Sequence, residues 1–286
     1  MPPLARTYLK GLTTSAVAMM APRRPVAADE VPAVDLVVRD VASDVERLTA
    51  YQHLVGEPAG DALPPGFVHV LAFPLQTALM IRPDFPLPLL GMVHLANRVE
   101  QRRPVGLGTL LDLQVGARDL RQHRAGVTVD LVGEARVDDE VVWTGVSTYL
   151  ARGVRLAGSG PTGRTRQPEW RPPTPTGEWR LPADVGRRYA AVSGDRNPIH
   201  TSDLAARAFG FSRTIAHGMY TAARALADVG PAARGDAYRW EVEFAAPLLV
   251  PGTAAVRVAR EGDGFTYVAW DARKGRKHLE GSVTPL

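Results

Sequence analysis

Tyr189-Ala190-Ala191-Val192-Ser193-Gly194-Asp195-Arg196-Asn197-Pro198-Ile199-His200, with Ala216-His217-Gly218-Met219 further on, is the most informative part of this 286-residue chain. Gly194-Asp195 and Asn197-Pro198 are turn chemistry, so a helix running up to Ser193 has to stop there. Pro198 drives Asn197 into an extended conformation. The backbone is thereby stiffened between a carboxylate, Asp195, and an imidazole, His200. Such a turn can aim both side chains into one cleft, one as base and the other as its partner. A plain turn explains the same residues: Asp195 would cap the segment 202–208, and His200 would be a hydrogen-bonded surface histidine. Turn chemistry alone leaves both readings open.

Working outward, the sequence leading into the turn, DVGRRYAAVSGD, resembles DVERLTAYQHLVGE about half a chain earlier. Val99-Glu100 and Pro104 match Val242-Glu243 and Pro247, and both runs reach a Gly-Thr pair, Gly108-Thr109 and Gly252-Thr253. A fixed offset of this kind predicts duplication of one fold. Between the copies, GVRLAGSGPTGRTRQPEWRPPTPTGE has neither helical nor strand periodicity and reads as a Pro/Gly-rich, extended linker. The expected organisation is a first repeat at 1–152, a linker at 153–178 and a second repeat at 179–286.

Apolar alternation and β-branched residues predict strands at 127–132, 141–150, 238–244, 254–260, 265–270 and 279–284. Ala- and Leu-rich composition without alternation predicts buried helices at 72–81 and 218–229. Each half then reads as helix first, followed by about four antiparallel strands. A sheet wrapped around one apolar helix buries both economically.

Composition narrows the function classes. Hydrophobic residues are 45% and charged residues 22%, which suits a globular protein with material for two cores. No run approaches the roughly 18 apolar residues that span a bilayer. The absence of cysteine excludes disulfides, thiol nucleophiles and cysteine metal sites, and fits a cytoplasmic protein. Residues 1–22 mimic a signal peptide only weakly, and a leader segment packing on the domain is expected. The net charge is +4, and all but three of the 34 basic residues are arginine. Compositional bias and affinity for a phosphorylated or acidic partner both account for that. Nucleic acid is not an expected partner, since no basic run interleaved with aromatics occurs.

The full pattern, Tyr-x3-Ser-Gly-Asp-x-Asn-Pro-x-His followed by Ala-His-Gly-Met, resembles the MaoC-like, R-specific enoyl-thioester hydratase family. The resemblance is strongest over 178–286. The first half looks like the N-terminal repeat, lacking the motif, of double-hotdog members such as actinobacterial 3-hydroxyacyl-thioester dehydratases. It implies an α+β double hotdog, with two antiparallel sheets each wrapped around a central helix. It implies reversible hydration of trans-2-enoyl thioesters, carried by coenzyme A or acyl-carrier protein, in fatty-acid metabolism. Asp195 and His200 would bind and activate the water or hydroxyl. Asn197, Pro198 and Gly194 would support the turn. Gly218 would offer its N–H to the thioester carbonyl, at a helix start where free N–H groups favour an oxyanion. No metal or redox cofactor is implied, and no metal-ligand spacing or dinucleotide glycine motif is present. A non-catalytic acyl-thioester-binding subunit and a hotdog thioesterase are the competing functions.

In the first half, Gly56-Glu57-Pro58-Ala59-Gly60-Asp61 stands where the catalytic turn would be, so one active site per chain is expected. That half would supply an apolar acyl channel, with LAFPLQTALMI at 71–81 as the candidate wall and ordinary core as its other reading. His217 either hydrogen-bonds backbone near the helix start or takes part in catalysis. The cluster Arg273-Lys274-Gly275-Arg276-Lys277 sits in a predicted hairpin turn, either solvated or touching carrier phosphates. A fused pair of hotdogs is compatible with a monomer or a homodimer.

Overall fold

The computed structural model describes residues 24–89, 91–160 and 169–286. The leader at 1–22 and the middle of the linker lie outside the described residues. The first half runs β1 (Asp35–Val41), α1 (Val45–Val55), α2 (Pro65–Met80), β2 (Met92–Gln101), β3 (Leu111–His123), β4 (Gly126–Val137) and β5 (Glu140–Arg152). The second runs β6 (Gly177–Leu181), α3 (Val185–Ser193), a 3-10 turn (Pro198–His200), α4 (Asp203–Ala208), α5 (Gly218–Val229), α6 (Pro231–Arg234), β7 (Tyr238–Phe244), β8 (Gly252–Glu261), β9 (Gly264–Asp271) and β10 (Arg276–Pro285).

The strand order is β1-β3-β4-β5-β2-β7-β10-β9-β8-β6, with every pairing antiparallel. Each half repeats the same order, and the two meet where β2 pairs with β7 around Asn97–Val242 and Val99–Trp240. This is the double hotdog, but its two sheets are continuous. Both halves end on a strand with an open edge, and pairing those edges satisfies backbone groups that two separate sheets would leave exposed. The period-2 alternation places Tyr238, Trp240 and Val242 of β7 inward, with Glu241 exposed.

The helix α2 begins seven residues before the expected start. Pro65 occupies its first turn, where a missing N–H costs nothing. All of its residues but Ala78 are buried, so it has no polar stripe to advertise its ends. Fully enclosed side chains such as Phe67 and Leu79 each contribute about 2 kcal/mol of hydrophobic stabilisation. The helix α5 has the expected limits, 218–229, and packs against β7, β8 and β9.

The linker expectation needs adjusting at its end. Gly177 and Glu178 already belong to β6, paired with β8. Just before them, Trp170 Nε1 donates to the Gly275 carbonyl at 2.8 Å, and the Lys277 ammonium stands 4.5 Å from the indole centroid. The basic β9–β10 hairpin is therefore covered in part by the returning chain. Among the described residues no helix is long and apolar enough to cross a membrane.

Candidate active site

The helix α3 ends at Gly194 in the left-handed region (φ 78°), which glycine adopts without strain. The chain then folds on itself through small hydrogen bonds. Ser193 Oγ donates to the Tyr189 carbonyl at 2.8 Å and accepts from Asp195 N–H at 3.1 Å. Asp195 Oδ1 accepts from Asn197 N–H at 3.1 Å. Asn197 Oδ1 in turn accepts from Ile199 N–H at 3.4 Å, capping the 3-10 turn that carries His200. Asp195 does not cap 203–208; Ser202 does. Gly186 of α3 is a supporting residue not apparent from the motif, because a Cβ there would lie 2.0 Å from the His200 carbonyl oxygen.

His200 Nδ1–H donates to the Ile215 carbonyl at 2.9 Å, which leaves Nε2 as the unprotonated, basic nitrogen of the neutral ring. His217 caps α5 without a side-chain bond to the helix. Its ring stacks on that of His200 (centroids 3.7 Å apart), and its Nε2 donates to the Asp195 carbonyl at 3.1 Å. His217 therefore hydrogen-bonds backbone beside the helix start and also forms one wall of the site. Loss of solvation holds both imidazoles below their usual pKa, against the attraction of Asp195; His217, with His200 beside it, falls to about 3. Both rings are therefore neutral at neutral pH, and His200 can accept a proton.

Asp195, Asn197, His200, His217 and Gly218 line one cavity of about 230 Å³. Gly218 opens α5, whose first-turn N–H groups have no partner within the helix and no side-chain cap. A Cβ on Gly218 would sit 3.1 Å from the Phe244 ring, so the glycine also makes room for that ring. Gly194 and Pro198 shape the turn from outside the cavity. A carboxylate oxygen of Asp195 and a ring nitrogen from each of His200 and His217 lie within 4.8 Å of one another.

The opposite wall comes from the first half, but not as expected. Of 71–81 only Phe73 lines the cavity; most of the stretch is core. Upstream His69 and Val70 contribute instead, with His94 of β2 and Tyr149 of β5. The first half's own copy of the turn carries Glu57 at the place of Asp195, directly after the left-handed Gly56 that ends α1. Glu57 is buried against Arg234 of α6 in an ion pair. The guanidinium of Arg234 thus stands beside the carboxylate that occupies the place of Asp195, and no histidine follows it in 56–61.

The model of the MaoC like domain matches residues 160–277. The chain is 37% identical to 3-hydroxyacyl-thioester dehydratase X of Mycobacterium tuberculosis over 258 residues, 90% of this chain and 91% of that one. It belongs to the MaoC-like dehydratase family. The crystal structure of HtdX from M. tuberculosis superposes with a TM-score of 0.79 at 35% identity, covering 88% of this chain and all of that one. An acyl-ACP thioesterase from Bacteroides thetaiotaomicron also superposes, at TM-score 0.55 and 10% identity, over 87% of this chain and 96% of that one. That second likeness is one of fold alone.

Proposed function

We propose that this member of the family hydrates trans-2-enoyl thioesters and, in reverse, dehydrates (3R)-3-hydroxyacyl thioesters of fatty-acid metabolism. The observation that carries the reading is the convergence of Asp195, His200 and the N-terminus of α5 on one cavity. Adding water to the enoyl thioester moves negative charge onto the thioester oxygen. Gly218 N–H and the helix dipole face that charge, and one such donor is worth about 3 kcal/mol in the transition state. The Asp195–His200 pair binds the water, removes its proton and returns one to C2. His200 is suited to this because the bond to Ile215 fixes its tautomer and leaves Nε2 without a proton. The substrate is a coenzyme A or carrier-protein thioester. The chain works in the cytoplasm, as its lack of cysteine suggests, as a monomer or a homodimer.

The test is crotonyl-CoA, followed both by loss of enoyl absorbance and by free thiol. Loss of absorbance without thiol is the expected result. Thiol release supports a thioesterase, and inertness a binding subunit. Asp195→Asn and His200→Ala should each lower turnover by about a hundredfold or more, and the losses should not add because the groups act as one unit. Near-normal turnover in either folded variant would overturn the assignment.

A further inference from the structure

The wall facing the catalytic pair is unusual for a channel that takes an alkyl chain. His69 is buried on α2, and among the described residues its Nδ1 has no hydrogen-bond partner; His94 Nε2 is likewise buried with no partner among them. The rings are stacked 6.4 Å apart, and Tyr149 stacks on His94 at 4.5 Å. All three line the catalytic cavity. A bulge between His94 and Ala96 interrupts the pairing of β2 with β5 here, a device that re-aims side chains next to binding sites.

The path from the thioester to this wall is short. Phe244 lies against Gly218, where the carbonyl would dock, and its ring is 5.1 Å from that of His94. An acyl chain passing Phe244 meets the imidazoles a few bonds beyond C3. A methyl terminus there would leave both buried ring nitrogens as they are, without partners. A hydroxyl would satisfy them. It donates and accepts, so it fits whichever tautomer each ring holds.

We propose that His69 and His94 form a subsite for a hydroxyl on the acyl chain beyond C3, so that the preferred thioesters are hydroxylated rather than plain alkyl. The proposal deepens the hydratase reading and rests on it. Loss of solvation keeps both rings neutral, with pKa values of about 4 and about 3, which suits a neutral hydroxyl rather than a carboxylate.

Binding of saturated thioesters tests the subsite separately from turnover, because they have no double bond to hydrate. The probes are hexanoyl-pantetheine and 6-hydroxyhexanoyl-pantetheine, whose pantetheine is common to both carriers. Calorimetry on the wild-type protein should give at least tenfold tighter binding of the hydroxylated probe. His69→Phe and His94→Phe keep the ring and remove its nitrogens. Each should erase most of that ratio, weakening the hydroxylated probe and sparing the plain one. A merely structural role would weaken both probes together and leave the ratio intact. Equal wild-type affinities, a ratio unmoved by both variants, or no binding of either probe overturns the proposal. Failure of the hydratase reading would show instead as inertness toward crotonyl-CoA.

Discussion

Replacing Arg234 with methionine strands the Glu57 carboxylate in the protein interior. The two side chains are 6% and 7% exposed and come from opposite halves of the chain. Arg234 Nη1 also donates to the Leu226 carbonyl at 3.3 Å, and the guanidinium stands 5.8 Å from the Tyr238 ring. Removing one partner of a buried ion pair costs about 3–5 kcal/mol, because the remaining charge has lost both water and its counter-ion. At about 2–4 °C per kcal/mol for a chain somewhat smaller than this one, the melting temperature should drop by roughly 6–20 °C. Glu57→Leu, which leaves the guanidinium unpaired, should do the same. The double variant Glu57→Leu/Arg234→Met removes both charges and should recover most of the loss. Urea unfolding of all four proteins gives the cycle. Since neither residue lines the catalytic cavity, turnover by the folded single variants should stay near wild type. Single variants within about 1 kcal/mol of wild type, or a double variant as unstable as the sum of the singles, would refute the reasoning.

Two further outcomes follow from the site. Gly218→Val pushes a branched side chain against the Phe244 ring and over the proposed oxyanion donor, so the melting temperature should fall modestly as that ring shifts while turnover of the folded variant falls by about a hundredfold; a melting shift at unchanged turnover would remove Gly218 from the site. Stability should fall as the pH drops from 6.5 toward 4. His69 and His217 have folded pKa values of about 4 and about 3, below the 6.5 of the unfolded chain. Above 6.5 both states hold these rings neutral. Below it the unfolded chain takes up protons that the fold refuses, which costs about 1.4 kcal/mol per group per pH unit, or about 3 for the two. Urea midpoints between pH 7 and 4.5 measure the slope, and a flat profile would contradict it.

The sequence by itself determined the turn, the duplication and most strand positions. These are local matters: proline and glycine restrict dihedral angles wherever they stand, and alternation reports which face of a strand is buried. The first half's lack of a catalytic pair was equally legible at Glu57. Helix α2 was placed late because it is buried all round, and full burial erases the amphipathic pattern that marks an end. Tertiary structure alone decided the rest. The joining of two sheets through β2 and β7 depends on edges that carry no mark in the sequence. So does the meeting of Glu57 with Arg234, 177 residues away. The wall opposite Asp195 is the clearest instance. His69 and His94 belong to no motif, and an apolar run beside them looked the better channel. They reach the cavity because α2 lies in the curve of one half-sheet and β2 runs along the seam between the two, and burial then fixes both rings as neutral hydrogen-bonding groups.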